Sequence, residues 1–253
     1  MLKFLIIMLL INNVLSFRPN VIKAFKHTKC RMQNKNIDFT PRSTHQTKYD
    51  EFLKNNNIKV IIGNGPAGTG KTYLACKHAV DKFRNNEVDK IIVTRPVKSV
   101  EEDLGYLPGD LNEKMTPWMN PIFDILREDF NNNEIKYLQN EQKLEISPLG
   151  FMRGRTFKNS FIIADEMQNS SPTQMLMLLT RLGENSRIVL TGDLKQSDIE
   201  GLNGFEDLIQ RLNMKYEGQF HNMIKDQFAL VNFKNYDIVR SEIVSKVIDL
   251  YDN

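Results

Sequence analysis

The sequence predicts a single α/β domain in which a mainly parallel β-sheet lies between layers of helices. Short apolar segments alternate along the chain with segments whose apolar residues recur at helical spacing. The apolar segments have the length and composition of strands that are buried on both faces. One of them enters a Gly-rich segment that leads directly into a helical stripe, which is typical of a βα unit.

The apolar runs place the strands, and the helical stripes place the helices. Strands are expected at residues 59–62, 91–94, 144–147, 161–164, 188–190 and 228–233. Helices are expected at residues 47–55, 72–84, 117–130, 171–182, 205–212 and 241–251. The dipeptide Pro108-Gly109 is typical of a turn, and the Asn run at residues 131–133 predicts a surface insertion in a loop.

The composition is that of a globular protein, with 41% hydrophobic and 26% charged residues among 253. Two cysteines, Cys30 and Cys76, exclude a disulfide scaffold. The four histidines are scattered and form no pair at metal-ligand spacing. The net charge is +3, but residues 1–37 contain seven basic residues and no acidic one. Subtracting these seven charges leaves −4, so the rest of the chain is not basic.

Residues 1–37 are expected to be a targeting presequence, and the folded domain is expected to span residues 38–253. The apolar run at residues 4–15 has the length of a signal-peptide core and is short for a bilayer span. The basic, acid-free stretch at residues 17–37 is typical of an organelle transit peptide. This combination resembles the two-part plastid presequence of algae with secondary plastids. We therefore expect an organelle, in particular a plastid, with the cytoplasm as the alternative, and no stable membrane span once the presequence is removed. The other interpretation is a buried or membrane-anchoring N-terminal helix.

The Gly-rich segment matches the phosphate-loop (Walker A) pattern G-x-x-x-x-G-K-[ST] in full. The predicted nucleotide-binding residues are Gly65, Pro66, Ala67, Gly68, Thr69, Gly70, Lys71 and Thr72. Glycines allow the backbone amides to face the phosphates, and the following helix directs its positive end at the same anion. We expect Lys71 to reach the β- and γ-phosphates and the Thr72 hydroxyl to bind Mg²⁺.

The apolar strand at residues 161–164 ends in Asp165 and Glu166, a Walker B pattern. Ligands bind at the carboxyl ends of parallel strands, so Asp165 is expected to hold Mg²⁺, directly or through water. Glu166 is expected to polarise an attacking water, which favours hydrolysis over the kinase chemistry that must exclude water. The alternative is that both acids merely end the strand or cap the next helix. The next predicted strand, at residues 188–190, is also followed by polar residues. Among them, Gln196 is expected to sense whether the γ-phosphate is present, and the alternative is that the segment is only a turn.

These residues, in this order, resemble the PhoH family of ATPases. The matching stretches are residues 39–42 with Gln46, 65–75, 94–97, 104–111, 148–155, 162–169 and 191–198. They extend the resemblance over about residues 39–251. The family is similar to the first RecA-like domain of superfamily-one helicases, so the resemblance implies one RecA-like P-loop NTPase domain that uses ATP and Mg²⁺.

The resemblance also implies roles for residues outside the phosphate loop. Gln46 corresponds to the glutamine that reads the adenine edge in those helicases, and Gln196 to their γ-phosphate sensor. Arg95 lies in the segment that helicases use near the nucleic-acid strand. Arg240 resembles the family's C-terminal arginine, a candidate arginine finger that would complete the catalytic set with Glu166 and Lys71. A solvated or salt-bridged side chain is the alternative for each arginine.

The implied partner is RNA or another single-stranded nucleic acid, although the charge of the domain gives no support for it. Because no second RecA-like domain follows in this sequence, we expect a ring-like homo-oligomer, for example a hexamer, whose neighbouring subunit supplies the finger. Arg153 and Arg155 lie in a family motif without a settled role. Two alternatives stay open: a nucleotide-gated assembly protein with slow hydrolysis, and a small-molecule kinase. Duplex unwinding is not implied, since translocation usually needs two mobile RecA-like units.

Overall fold

The computed structural model describes residues 40–96 and 111–239, which form an α/β domain. The strands are β1 (Val60–Asn64), β2 (Lys90–Arg95), β3 (Leu144–Pro148), β4 (Ser160–Ala164), β5 (Arg187–Gly192) and β6 (Phe228–Asn232). The helices are α1 (Thr44–Lys54), α2 (Lys71–Arg84), α3 (Leu111–Arg127), α4 (Asn132–Asn140), α5 (Pro172–Leu179), α6 (Gly204–Tyr216) and α7 (Phe220–Lys225). The predicted presequence, the turn at Pro108-Gly109 and the closing helix at residues 241–251 lie outside the described residues.

The strands form one sheet in the order β3-β2-β4-β5-β1-β6, and every neighbouring pair is parallel. The register places Ile62 of β1 between Leu190 of β5 and Leu230 of β6. Parallel pairing brings the carboxyl ends of all these strands to one edge of the sheet. The predicted α/β fold class is confirmed in its architecture: a parallel sheet lies between helices, and the phosphate-loop segment connects β1 to α2.

Both faces of the sheet are buried because the strands are apolar at successive positions. Ile62, Ile162 and Leu190 are fully buried in a core that they share with residues of α5, α6 and α7. Their neighbours Ile61 and Ile163 lie on the opposite face of the pleat and are equally buried. Burying each side chain of this size contributes about 1.5–3 kcal/mol, so the core holds the polar strand ends rigidly at the sheet edge.

Two helices differ from the sequence-based expectation. Helix α3 begins at Leu111 and continues through Pro117, where the helix was expected to start. That expectation was wrong because proline favours the first helical turn and looks like a boundary in the sequence. The Asn run was expected to be a loop insertion, but Asn131 is the N-cap of α4 and its side chain accepts hydrogen bonds from two amides of the first turn. Glu134 completes a capping box by accepting from the amide of Asn131 at 2.8 Å.

Two smaller differences concern the second half of the domain. Helix α5 ends at Leu179, with Thr180 as its C-cap, rather than at residue 182. Helix α7 was not predicted, because its six residues are too few to show a helical period. Neither difference moves the strand ends that form the site.

Candidate functional site

The phosphate-loop segment connects β1 to α2 at the carboxyl edge of the sheet. Gly65 has a φ of +141°, and a Cβ atom on it would lie 2.6 Å from the carbonyl oxygen of Phe233. Gly70 has a φ of +83° and is the N-cap of α2. A side chain at Gly65 would therefore meet rigid backbone in a conformation that L-residues rarely adopt. The loop has this shape only because its sequence is glycine-rich.

Lys71 is the first residue of α2 and lies almost fully buried under the loop. Its Nζ donates to the carbonyl oxygens of Gly65 at 2.6 Å and Pro66 at 2.7 Å. Burial lowers the pKa of the Lys71 ammonium, and the nearby carboxylates of Asp193 and Asp165 act in the opposite direction. The loop carbonyls and these acids thus hold a cation at the place where a phosphate chain would lie.

Asp165 follows β4 and accepts two hydroxyl hydrogen bonds on one carboxylate oxygen. Thr72 Oγ1 donates to Asp165 Oδ1 at 2.7 Å, and Thr191 Oγ1 donates to the same oxygen at 2.5 Å. The backbone amide of Asp165 donates to the carbonyl of Thr94 at 2.9 Å, which ties it to the end of β2. The side chain is therefore fixed by residues from α2 and β5, and the backbone by β2.

The Thr72 and Asp165 pair suits a magnesium ion. Hydroxyl and carboxylate oxygens are the hard donors that Mg²⁺ prefers, and Mg²⁺ usually binds one or two carboxylates together with substrate phosphates and water. The pair lies at the wall of the same cleft as Lys71. These donors fit the predicted ion, whose binding stays a prediction.

Glu166 adopts a left-handed backbone conformation with a φ of +55°. Such a conformation is unfavourable for a residue other than glycine and is found where a side chain must be aimed. Gln168 Nε2 donates to Glu166 Oε2 at 2.5 Å, and Arg95 Nη2 lies 3.7 Å from Glu166 Oε1. The buried Gln168 also accepts from the amide of Asp193 at 3.2 Å. The carboxylate, whose side chain is 35% exposed, is thus held from two sides at the mouth of the cleft.

The cleft has a volume of about 340 Å³, which lies within the range of small-molecule sites. Its lining combines the phosphate loop, the ends of β2, β4 and β5, and two residues of α3. The lining residues are Ala67, Gly68, Gly70, Lys71, Thr72, Tyr73, Arg95, Pro121, Ile125, Asp165, Glu166, Gly192, Asp193 and Gln196. The structure therefore brings the loop, both predicted carboxylates and the predicted phosphate reporter to one concave surface.

Gln46 lies beside the loop, but its side chain is 1% exposed and already bonded within the protein. Its Nε2 donates to the carbonyls of Thr69 at 3.1 Å and Asp237 at 3.4 Å, and its Oε1 accepts from the amide of Arg42 at 2.8 Å. Gln46 therefore joins the start of α1, the phosphate loop and the turn after β6. Its adenine contact stays a prediction, because an adenine would have to replace one of these bonds.

Gln196 and Arg240 are the remaining predicted site residues. Gln196 is exposed on a short 3₁₀ turn, and its amide donates to the carbonyl of Asp193 at 2.9 Å. Its role as γ-phosphate reporter stays a prediction. Arg240 lies outside the described residues. The amide of its predecessor, Val239, donates to the carbonyl of Gly68 at 2.9 Å.

The sequence analysis missed two side chains that organise the site. Thr191 was noticed only as part of a polar strand end, and Gln168 only as part of a matching stretch. Both side chains are buried. Thr191 contacts Asp165, which lies more than one element away in the sequence, and Gln168 contacts Glu166 across a tight turn. The available signal was a hydroxyl or amide at the end of an apolar strand, since such a group must find a partner when it is buried.

Within residues 40–96 and 111–239 there is no group of three or more His, Cys, Asp and Glu side chains that could hold a metal. No helix in this part of the chain is long and apolar enough to cross a membrane. Cys76 is a buried free thiol whose pKa burial raises, so it does not present a reactive thiolate.

Comparison with known proteins gives one family. A family model described as "PhoH-like protein" matches residues 38–252. The PhoH-like protein of Bacillus subtilis is 38% identical over 212 residues, which are 82% of this chain and 62% of the relative. The PhoH-like protein of Synechocystis sp. is 37% identical over 213 residues, or 83% of this chain and 61% of the relative. Protein PhoH of Escherichia coli K12 is 37% identical over 214 residues, or 83% of this chain and 57% of the relative. The chain thus spans about three fifths of the length of these curated relatives.

Among solved structures, one similar chain is the Sulfolobus solfataricus SWI2/SNF2 ATPase core in complex with double-stranded DNA. The TM-score is 0.42 at 17% sequence identity, and the match covers 76% of this chain and 41% of that chain.

Proposed function

The chain belongs to the PhoH-like protein family, and from this premise we propose that it binds ATP with Mg²⁺ and hydrolyses the γ-phosphate, coupled to RNA or another single-stranded nucleic acid. One observation supports the hydrolysis more than any other. Asp165, held by Thr72 and Thr191, and Glu166, held by Gln168 and Arg95, lie side by side on the wall of the cleft that the phosphate loop forms.

Phosphate binding follows from the loop and from α2. The backbone amides of the loop and the positive end of α2 attract an anion, and Lys71 adds a full charge that is partly removed from water. Thr72 and Asp165 are the residues that would hold Mg²⁺. When bound, the ion would neutralise part of the charge on the phosphate oxygens.

Hydrolysis requires a base that orients water next to the γ-phosphate. Glu166 is partly exposed at the cleft mouth, so its carboxylate can accept a hydrogen bond from water while Gln168 and Arg95 hold its direction. Lys71 stabilises the negative charge that spreads over the transferred phosphoryl group. In the proposed homo-oligomeric ring, Arg240 of a neighbouring subunit would add a second cation to this charge.

Nucleic acid is proposed as the coupled partner on the strength of the family and of Arg95. Arg95 ends β2 at the same edge of the sheet as the cleft, and its guanidinium lies 3.7 Å from the Glu166 carboxylate. A nucleic-acid phosphate that binds Arg95 would weaken the ion pair that helps to orient the Glu166 carboxylate. This gives a direct physical route from a bound strand to the rate of hydrolysis.

The test is phosphate release from ATP by the protein, with and without single-stranded RNA and with and without Mg²⁺. We expect release that needs Mg²⁺ and increases with RNA, and that is lost in Lys71→Ala. Lys225→Ala, which changes an exposed lysine at the end of α7, is the matched control and should keep the wild-type rate. Release that RNA does not change would instead support the nucleotide-gated assembly protein. Formation of ADP that requires a small acceptor and is not accompanied by release of inorganic phosphate would support a kinase.

A further inference from the structure

The segment that follows β3 lies at the same edge of the sheet as the nucleotide cleft. Residues 149–155, called here the 149–155 loop, begin with a 3₁₀ turn, Leu149–Met152, and end at Arg155. The last residue of β3, Pro148, is the register partner of Arg95 at the end of β2. The loop therefore starts one strand away from the arginine that contacts Glu166.

Both ends of the loop are fixed to the domain. Leu149 and Met152 are 1% and 0% exposed and belong to the core cluster on one face of the sheet. The Arg155 guanidinium donates to both carboxylate oxygens of Glu145 on β3, one of them at 2.8 Å. Arg181 Nη1 donates to the carbonyl of Arg155 at 3.3 Å. Arg155 thus has a structural partner, and the loop is held as a rigid projection.

Between these anchors the loop presents an aromatic ring and a cation to solvent. The side chain of Phe151 is 51% exposed, although burying a phenylalanine would stabilise the fold. Arg153 is exposed and makes no hydrogen bond or ion pair with any residue that the structure describes. A Cβ atom on Gly150 or Gly154 would meet nothing within 4 Å, so the backbone around both side chains is open.

We propose that the 149–155 loop binds a single strand of RNA, with a base stacked on Phe151 and a phosphate paired with Arg153. Aromatic rings beside cations are the usual means of holding single strands, because every base has a stacking face and every nucleotide has a phosphate. A protein partner fits less well, since the other exposed residues of the loop, Gly150, Arg153 and Gly154, are small or charged, whereas the core of a protein interface is apolar. The inference rests on the proposed function, which names a single-stranded nucleic acid as the partner.

The position of the loop links this contact to catalysis. A strand bound on the 149–155 loop would lie next to the end of β2, where Arg95 contacts Glu166. The phosphate that follows the stacked nucleotide can then reach Arg95. The loop would act as the anchor of the strand, and Arg95 as the contact that the ATPase site senses.

The test measures RNA affinity and basal ATPase activity separately. Fluorescence anisotropy with a short labelled oligouridylate gives the affinity, and phosphate release without RNA gives the basal activity. We expect Phe151→Ala to weaken binding by roughly 5- to 150-fold, the range found for a lost stacking contact, and Arg153→Ala to weaken it through the loss of one phosphate contact. Phe151→Trp should bind as the wild type does. The matched controls are Tyr137→Ala, an aromatic that is 56% exposed on α4, and Arg211→Ala on the exposed face of α6.

The salt dependence of binding distinguishes the two contacts. Arg153→Ala should reduce the slope of log affinity against log salt by about 0.7, because one phosphate contact is lost, and Phe151→Ala should leave the slope unchanged. Basal phosphate release should be the same in the wild type and in all these variants.

Three results would overturn the inference. Wild-type affinity in both Phe151→Ala and Arg153→Ala would move the RNA site elsewhere and leave the proposed function intact. A wild-type protein that releases phosphate but neither binds RNA nor responds to it would remove the nucleic-acid part of the proposed function as well. Variants that bind RNA normally but change the oligomeric mass in light scattering would identify the loop as a contact between subunits.

Discussion

The hydrogen bond from Thr191 to Asp165 provides a sharp test of the site. Thr191→Val keeps the shape of the side chain and removes only the hydroxyl, which donates to Asp165 Oδ1 at 2.5 Å in a nearly fully buried position. The Asp165 carboxylate would keep the bond from Thr72 and lose the one that ties it to β5. We expect a destabilised domain and a weaker site for Mg²⁺ with ATP.

The magnitude follows from the chemistry of the bond. A hydrogen bond to a charged acceptor contributes about 1.5–3 kcal/mol, and a buried carboxylate that loses a donor is not compensated by water. If the whole effect reaches the productive complex, kcat/KM for ATP falls by roughly 10- to 150-fold. The free energy of unfolding should fall by about 1–3 kcal/mol.

The assays are steady-state phosphate release and urea unfolding, performed on Thr191→Val beside Thr191→Ser. The serine variant keeps a hydroxyl at the same position and should retain most of both properties. Wild-type kcat/KM together with wild-type stability in Thr191→Val would show that the Thr191 bond does not organise Asp165.

Three further predictions concern stability. Arg187→Met should lower the free energy of unfolding by roughly 3–5 kcal/mol, because the buried guanidinium donates to three backbone carbonyls at and beyond the end of α1. Burial lowers the pKa of this guanidinium to about 10. Urea unfolding measures the change, and a loss of stability below about 1 kcal/mol would contradict the prediction. Burial lowers the pKa of His78 below its usual 6.5 despite its bond to a carboxylate, so the unfolded chain takes up the proton first and stability should fall as the pH drops below about 6.5. Urea unfolding at about pH 7 and pH 5 measures this loss of stability. Relative to the wild type, the loss should be smaller in His78→Gln and unchanged in His221→Gln, whose side chain is exposed. Equal losses of stability in the two variants would contradict the role of His78. Gly65→Ala should destabilise the domain by about 1–3 kcal/mol or more and abolish nucleotide binding, whereas Gly150→Ala, which enters open space, should do neither in unfolding and binding assays.

The sheet and the phosphate loop could be predicted because their signals are local. Apolar runs identify buried strands without any knowledge of their neighbours, and the loop pattern specifies its own conformation through glycines such as Gly65. Asp165 and Glu166 could be placed at the sheet edge because an apolar strand precedes them and parallel strands end together.

The contacts that organise the site could not be predicted in the same way. The bond between Thr191 and Asp165 depends on β5 lying next to β4, and the alternation of strands and helices does not determine strand order. The bond from Gln168 to Glu166 depends on a left-handed backbone at Glu166, which no propensity predicts for glutamate. Asn131 and Glu134 have the spacing of the capping box that begins α4. A run of Asn residues is also typical of a loop, and for this reason the sequence analysis predicted a loop there.

In the proposed mechanism, Glu166 activates water at a site that binds ATP independently of this carboxylate. The most direct measurement compares ATP affinity and phosphate release in the wild type and in Glu166→Gln. The amide keeps the size of the side chain and cannot accept a proton, so we expect ATP affinity within a few-fold of the wild type and phosphate release reduced by about 100-fold or more. Release at the wild-type rate in Glu166→Gln, measured with ATP binding intact, would show that Glu166 does not activate the attacking water.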